Sequence, residues 1–463
     1  MNNISTLKIP SLKGMVFLAI LLSIKIFSQE FGMGILLDDS LYASRPLSVK
    51  LMRGDYSNLP SSFSLKEFAP QPGYQGTSGT CAAWSAVYGG KTILEAVKNR
   101  WTSKEIFENR FSPSFVYNQV RRSSGCSEGV SLINVLDFLK ENGVVKYSDF
   151  GFECEREVKP PEKEKARAYK ILEYRTIADY KLPHKSSFIK KSLSENKPVI
   201  AAIDCPSSFK YAKENWQPDS SDYRNWFQGH GITIVGYDDK KFGGAFEILN
   251  SWGTAWGEKG FTWVRYSDFD YFCKYAFELI DPEPENKLPL LSGSLLFRED
   301  NGDEMRLIRS GNVFETVKNY PTGTLFELRI SNDEPAYIYA FATDITFAVA
   351  KIFPSEENIS AYLPYKKNNI AIPDEDSYAM LDDTKGVTYY VFLYSKEKLE
   401  FDKLINDFET SKGGFTKRFE SVFGKMTIDT ENISFDQSEK LKFRSLFTTE
   451  KKVVPVIIKI NHK

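Results

Sequence analysis

Three histidines and five cysteines are the side chains of this sequence best suited to nucleophilic and acid–base chemistry. His184 lies in a polar Lys-Leu-Pro-His-Lys segment and His462 is next to last, so we expect both imidazoles to be exposed. His230 stands between two glycines and opens the apolar run Ile-Thr-Ile-Val, which predicts a buried strand. An isolated histidine at a strand end is usually structural. Its burial nevertheless makes His230 the one candidate for a general base.

Cys81 stands at the start of a predicted helix. Small and apolar residues recur at helical spacing from Cys81 to Lys98, which predicts a helix with Cys81 at its amino-terminal end. Five cysteines cannot all pair within one chain, so at least one thiol stays free. The motifs His-Glu-x-x-His, Gly-x-Ser-x-Gly, Cys-x-x-Cys and Gly-x-Gly-x-x-Gly are absent. Zinc peptidases, serine hydrolases and dinucleotide enzymes are therefore not indicated, and we expect neither cofactor nor metal.

Three separated blocks of sequence surround these residues. They are Gln75-Gly-Thr-Ser-Gly-Thr-Cys-Ala-Ala-Trp-Ser85, Gln228-Gly-His-Gly-Ile-Thr-Ile-Val-Gly-Tyr237 and Glu247-Ile-Leu-Asn-Ser-Trp-Gly-Thr-Ala-Trp-Gly-Glu-Lys-Gly-Phe261. Together they resemble the signature blocks of the papain-like cysteine peptidases, and the resemblance covers residues 59–281. It implies a two-lobed fold in which a helical lobe carries the cysteine and a β lobe carries the histidine.

The resemblance also implies a role for each matching residue. Cys81 falls on the nucleophile, His230 on the general base and Asn250 on the asparagine that orients the imidazole. Gln75 falls on the oxyanion-hole glutamine. A thiol at a helix amino terminus, beside an imidazolium, is expected to be a thiolate at neutral pH. The positions implied to bind substrate are Gly129, Gly229, Gly231 and Trp252, the last of which also shields the contact between histidine and asparagine.

The sequence departs from the family's pattern at several points, among them Ala82 in place of a tryptophan and Glu128 in place of a glycine. Ser78 stands where the family usually has a cysteine, and Cys126 matches the partner of that missing cysteine. We expect Cys126 to be free or to pair with Cys154, Cys205 or Cys273, of which Cys154 is the nearest in sequence. The family's usual long helical propeptide is also absent. The resemblance therefore does not imply that a propeptide keeps this protein inactive.

The elements around these residues run helices first and strands afterwards, which predicts an α+β architecture with two facing lobes. Ser131 can cap a helix that Asn142-Gly143 ends, and the Lys/Glu-rich stretch 155–185 predicts a solvated insertion. A polar joint, Asp281-Pro-Glu-Pro-Glu-Asn286, precedes alternating apolar residues and one helix near Phe401. The predicted division is a signal peptide at 1–28, a short amino-terminal segment at 29–58 that is loop-like from residue 30, a papain-like peptidase domain at 59–281, a linker at 282–290 and a β-rich accessory domain at 291–463.

Composition limits the partners and the location of the protein. The formal net charge is −1, so the chain has no excess positive charge that would favour sequence-independent binding to nucleic acid. The apolar run from Met15 to Ile24 follows two lysines and is too short for a stable membrane span, which is typical of a secretory signal. We therefore expect a secreted or periplasmic protein whose partner is a peptide or protein substrate. The accessory domain weakly resembles, through Tyr337-Ile-Tyr-Ala-Phe341 and Ile352-Phe-Pro354, an uncharacterised module of bacterial exported proteins.

The expected function is hydrolysis of peptide bonds by a cysteine-type peptidase. Two alternatives stay open. One is a catalytically idle papain-fold binding protein. The other is acyl transfer to an amine acceptor of the transglutaminase type, which shares the cysteine–histidine chemistry but usually has aspartate as its third member.

Overall fold

The computed structural model describes residues 31–177, 185–224, 227–282, 290–437, 440–448 and 450–463. The predicted signal peptide, His184 and most of the predicted linker lie outside these residues. Within the described ranges, no helix is both long enough and apolar enough to cross a membrane.

Most helices precede the long strands of the first half of the chain. The helices span Asp39–Ala43, Arg53–Ser57, Cys81–Ala83, Trp84–Lys91, Thr92–Asn99, Ser103–Asn109, Pro113–Val120, Leu132–Glu141, Tyr147–Phe150, Pro160–Ala166, Ser186–Ser194, Tyr266–Phe272, Phe401–Thr410 and Phe415–Phe423. Short 3₁₀ helices span Lys66–Phe68, Arg167–Tyr169, Ser207–Tyr211, Asp222–Arg224, Lys241–Gly243 and Thr430–Asn432.

The first sheet contains ten strands and lies entirely before residue 281. Its main path runs through Glu173–Thr176, Cys273–Ile280, Val199–Cys205, Gln228–Asp238, Ala245–Leu249, Phe261–Arg265 and Asn215–Trp216, and Ile35–Leu36, Ser62–Ser64 and Val130–Ser131 pair beside it. The helices from Cys81 to Phe150 pack against this sheet around a common apolar core. The predicted α+β fold with a helical lobe and a β lobe is confirmed.

The predicted helix from Cys81 is one continuous helical rod. An α-helical turn, Cys81–Ala83, leads into a wider π-helical stretch, Trp84–Lys91, and then into Thr92–Asn99. Gly89 packs on the strand that carries His230: a Cβ atom there would lie 2.2 Å from Oγ1 of Thr233. The missing side chain therefore lets the cysteine helix approach the histidine strand.

The second half of the chain is a β-sandwich. One sheet has six strands, Asn368–Ile372, Leu325–Asn332, Leu290–Glu299, Leu441–Leu446, Ile433–Asp436 and Ala379–Met380. The other has seven, Leu307–Ser310, Val313–Thr316, Val453–His462, Gly386–Ser395, Ala336–Thr343, Val349–Phe353 and Tyr362–Leu363. Both sheets share one apolar core. Helices 401–410 and 415–423 cover a second cluster rich in phenylalanine, and the sequence predicted only the first of the two.

A buried ion pair lies where the sandwich meets the first sheet. Arg175 and Glu278 are almost completely buried, and Nε of Arg175 donates to Oε2 of Glu278 at 2.8 Å. The sandwich completes the pair: Arg175 donates to the carbonyl of Tyr362 at 3.0 Å, and the hydroxyl of Tyr365 donates to Glu278. Burial opposes the charge on Glu278, but the guanidinium more than offsets it and lowers the pKa of the carboxyl. The predicted solvated insertion at 155–185 is therefore wrong for residues 173–177, because a charge count does not reveal a buried partner.

The amino-terminal segment connects the two halves of the molecule. The N–H of Ser48 donates to Thr176 in the first sheet at 2.8 Å, and the N–H of Leu47 donates to Asn358 in the sandwich at 2.6 Å. The side chains of Val49 and Leu51 are buried in the core of the sandwich. Residues 46–55 are thus shared between both halves, which a reading of this stretch as loop does not reveal.

Candidate active site

Cys81 begins its helix at the base of a cleft between the two lobes. Its carbonyl oxygen lies 2.9 Å from where a Cβ atom would stand on Gly231, the residue after His230. The thiol is completely buried and is not part of a disulfide. The structure thus brings the predicted nucleophile to the strand that carries the predicted base.

The hydrogen bonds of Asn250 fix the tautomer of His230. The N–H of Ser251 donates to Oδ1 of Asn250 at 2.7 Å, so this oxygen is an acceptor. The same oxygen lies 2.8 Å from Nε2 of His230, which must therefore carry the proton. Nδ1 of His230 is buried and has no hydrogen-bond partner among the described residues. In the neutral ring Nδ1 holds the lone pair and is the atom available to take a proton from a thiol.

Aromatic rings enclose the imidazole. The ring of Trp252 lies 4.5 Å from the ring of His230, between centroids, and is completely buried. Phe209 packs against both His230 and Trp252, at 6.3 and 5.6 Å. Trp256 donates from Nε1 to the carbonyl of Phe209 at 3.0 Å. This enclosure keeps water from the bond between His230 and Asn250. The sequence analysis missed Phe209, which lies in a 3₁₀ helix outside the three blocks.

Gln75 is held so that its amide nitrogen faces the cleft. Oε1 accepts a hydrogen bond from the hydroxyl of Ser251 at 2.5 Å, and the backbone N–H of Gln75 donates to the carbonyl of Ser251 at 2.9 Å. Nε2 donates to two backbone carbonyls, that of Ser78 at 2.7 Å and that of Gly32 at 3.1 Å. Ser251 therefore orients the amide. Its place within the third block was the signal for this role, which the sequence analysis did not assign.

Residues 31–36, here called the amino-terminal strap, lie in the cleft. Phe31 stacks on Trp252 with ring centroids 4.5 Å apart, and the carbonyl of Gly32 accepts from Nε1 of Trp252 at 3.3 Å as well as from Gln75. The N–H of Gly34 donates to the carbonyl of Gly229 at 3.1 Å. A peptide backbone thus already occupies the groove over Cys81.

Glycines on the strap and on the cleft walls make this fit possible. Ile35 pairs with Val130 on one wall and with Gly229 on the other. A Cβ atom on Gly129 would lie 1.8 Å from the carbonyl oxygen of Gly34, and one on Gly32 would lie 2.0 Å from the carbonyl oxygen of Ser78. A side chain at either position would need the strap to move. The predicted substrate-binding residues Gly129, Gly229, Gly231 and Trp252 all line the groove that the strap fills.

Burial sets the charge of both reacting groups. Removal from water raises the pKa of the Cys81 thiol to about 11, although backbone groups of Gly231 and Gly34 act in the opposite direction. The same loss of water lowers the pKa of His230 to about 4, although the hydrogen bond that Nε2 donates to Asn250 acts in the opposite direction. The thiolate expected at neutral pH is therefore not favoured while the strap is in place. Thiol and imidazole are both neutral in this state.

Two further expectations about histidine and cysteine are now resolved. His462 is buried, not exposed: it pairs with Gly386 in a strand, and its Nε2 lies 3.0 Å from the hydroxyl of Thr322. The expectation that His462 is exposed was wrong because the final strand extends to the end of the chain.

Cys126 forms a disulfide with Cys154, one of the pairings left open, and Cys205 and Cys273 are free and buried.

Part of the chain is similar to known proteins. Residues 60–279 match the sequence model of the family described as papain family cysteine protease. Vignain from Ricinus communis is 26% identical over 216 residues, 45% of this chain and 55% of that protein. Cysteine proteinase 1 from Entamoeba histolytica is 30% identical over 146 residues, 30% of this chain and 42% of that protein. The chain spans about half the length of these curated relatives.

Among solved structures, xylellain, a cysteine protease from Xylella fastidiosa, is similar over 55% of this chain and 97% of its own, with a TM-score of 0.45 and 19% identity. The family match indicates a domain of the cysteine-type peptidase class. Residues 60–279 thus resemble the papain family cysteine proteases, and the sandwich lies outside the match.

Proposed function

We propose that the chain is an exported cysteine peptidase that hydrolyses peptide bonds through an acyl-enzyme. In this mechanism Nδ1 of His230 takes the proton of Cys81, and the sulfur attacks the carbonyl carbon of the scissile bond. The new oxyanion accepts hydrogen bonds from Nε2 of Gln75 and from the N–H of Cys81. Its collapse breaks the carbon–nitrogen bond, and His230 returns the proton to the leaving amine. Water activated by His230 then releases the acid and regenerates the thiol.

One observation carries this proposal. The hydrogen bond between Asn250 and Nε2 of His230 leaves Nδ1 as a buried lone pair with no partner among the described residues. A buried polar atom without a partner costs stability, so its retention on the strand that Cys81 contacts favours a chemical role. The contact between the Gln75 amide and the carbonyl of Gly32 further supports a site built to bind peptide carbonyls.

The proposal also divides the chain into domains. We assign residues 59–281 to the peptidase domain, 282–290 to the linker and 291–463 to the accessory domain. In support, the ten-stranded sheet ends with Ile280 and the strands of the sandwich begin with Leu290. Export by a signal peptide at 1–28 is the remaining part, and Edman sequencing of the exported protein tests it by finding a start near Gln29.

The decisive test compares two cysteine substitutions in an assay with a fluorogenic peptide amide. Cys81→Ala should lower turnover roughly 10⁴-fold or more, because the nucleophile is lost. Cys205→Ala, which removes another buried free thiol, should leave turnover within a few-fold of wild type. Both are measured on the full chain and on a chain cut after Leu37, which frees the strap. Equal turnover in the two variants would refute the proposal.

The same assay separates the two alternatives. A cut chain that alkylates at Cys81 but turns over no peptide would be an idle binding protein. Addition of a primary amine distinguishes acyl transfer, because a transferase would yield the new amide as the main product and a hydrolase the free acid.

A further inference from the structure

The strap contacts the cleft along its length. The apolar contacts are the stacking of Phe31 on Trp252, the packing of Met33 against the core and the burial of Ile35, which is 5% exposed. The polar contacts are hydrogen bonds of the backbone of Gly32 and Gly34 and the strand pairing of residues 35 and 36. A six-residue peptide with two glycines loses much conformational freedom on binding. Its occupancy of the cleft therefore depends on attachment to a segment that is already ordered.

The residues that follow the strap supply that attachment in two stages. The first stage is on the peptidase domain, where Tyr42 stacks on Tyr275 at 4.3 Å and the hydroxyl of Tyr275 donates to Asp39 at 2.7 Å. Arg45 also pairs with Asp137 at 3.3 Å. These contacts fix the chain immediately after the strap.

The second stage is on the sandwich. The N–H of Arg53 donates to the carboxylate of Glu375 at 2.7 Å, and its guanidinium pairs with Asp376. Asp55 accepts from the N–H of Asn369 at 2.8 Å and from its side-chain amide at 3.1 Å. Together with buried Val49 and Leu51, these contacts make residues 47–55 part of the sandwich.

We propose that the accessory sandwich anchors the amino-terminal strap and thereby keeps the cleft closed. A tethered segment binds as if at an effective concentration of about millimolar, whereas the same peptide in solution would dissociate. The sandwich raises the local concentration of the strap by ordering residues 47–55. This regulation rests on the proposed peptidase function, but closure of the cleft is measurable without any turnover.

The first experiment tests closure through the alkylation of Cys81 by iodoacetamide, followed by mass spectrometry of the full chain. Ile35→Asp should raise the rate at Cys81 at least about tenfold, because a carboxylate is costly in that buried position. The matched control is Leu37→Asp, the same kind of change at a side chain that is 38% exposed, and it should stay within twofold of wild type. Cys205 and Cys273 report unfolding in the same sample, since both are buried and free. Equal rates at Cys81 in the two variants would overturn closure by the strap.

A cut chain keeps the test falsifiable if Ile35→Asp does not fold. A recognition sequence for a site-specific protease is inserted between Leu37 and Asp38, and the same sequence after the exposed Lys385 serves as the control. Cleavage after Leu37 followed by gel filtration should accelerate the alkylation of Cys81 at least about tenfold, since the strap leaves. Cleavage in the control loop should not. An unchanged rate after removal of the strap would overturn the proposal.

The second experiment tests the anchor itself. The double substitution Arg53→Ala with Asp55→Ala removes the ion pair with Asp376 and the carboxylate that accepts from Asn369. Because the backbone hydrogen bonds of this segment remain, the alkylation rate should rise about three- to tenfold. The matched control, Asp429→Ala with Lys451→Ala, removes an exposed ion pair elsewhere in the sandwich. Equal rates in the two double variants would show that the sandwich is not the anchor. Faster alkylation without turnover in any variant would support the anchor and refute the peptidase function, so the two failures are distinguishable.

Discussion

His230 and Cys81 face one cleft from opposite lobes and are held by different means. The histidine is fixed by its own domain: Asn250 sets its tautomer, and Trp252 and Phe209 enclose its ring. The cysteine depends for its burial on the strap, whose chain continues into the sandwich. The groups that hold the histidine thus lie in the peptidase domain. The ionisation of the cysteine instead depends on the strap, which can dissociate from the cleft. A change in the strap should therefore alter the ionisation of Cys81 while the bond between His230 and Asn250 persists.

The largest expected effect is on the ionisation of Cys81. At pH 7 a thiol whose pKa is about 11 is ionised in about one molecule in 10⁴. After the strap is cut away, water reaches the thiol of Cys81 and its pKa falls. A thiolate there raises the pKa of His230 from about 4, so an ion pair becomes favourable. Ultraviolet thiolate absorbance, taken as the difference from Cys81→Ala, should be absent at pH 7 in the full chain and present in the cut chain. If the thiolate absorbance followed the same titration curve in the full and the cut chain, the strap would not control the ionisation of Cys81.

The next effect concerns the oxyanion hole. Gln75→Ala removes a donor that acts when charge develops on the substrate, so in the cut chain kcat should fall roughly 10²-fold with little change in KM. Alkylation of Cys81 creates no oxyanion and should be unaffected. Asn250→Ala is the counterpart on the histidine side and should slow both reactions, because the imidazole can then rotate. The same pattern in the two variants would show that the residue roles are assigned wrongly.

The smallest effect tests how Gln75 is oriented. Ser251→Ala removes the hydroxyl that binds Oε1 of Gln75 but keeps the N–H that binds Asn250. We expect kcat of the cut chain to fall about tenfold, the equivalent of about one hydrogen bond. Ser251→Thr retains a hydroxyl and should recover most of the activity. A slower alkylation of Cys81 in Ser251→Ala would mean that the serine acts through the histidine side instead.

The sequence allowed prediction of the α+β fold class and indicated which residues meet at the cleft. Cys81, His230, Asn250 and Gln75 stand in compact blocks whose glycines and tryptophans are themselves informative, and the structure brings all four together. Helix limits were also predictable where a local cap sets them, as at Ser131, whose hydroxyl accepts from the N–H of Ile133 at 3.2 Å.

Features that depend on distant partners were not predictable. The strap was part of a stretch read as loop, because glycines at 32 and 34 carry no periodicity and their purpose is to approach Gly129 and Ser78. Arg175 was assigned to solvent because its partner Glu278 lies in another strand. The neutral state of Cys81 likewise follows from burial by a segment about fifty residues away in sequence, which no local rule for a helix amino terminus includes.

The ion pair between Arg175 and Glu278 limits which domains could have been fused to the first half of this chain. Its charges belong to one half of the chain, but Tyr362 and Tyr365 of the other half complete their hydrogen bonds. A gene fusion that replaced the sandwich by an unrelated module would keep the ion pair but remove both of these hydrogen bonds, and a hydrogen bond to a charged group contributes about 1.5 to 3 kcal/mol. Recombination at the joint is therefore expected to succeed only when the incoming module presents a tyrosine hydroxyl and a carbonyl at the same places.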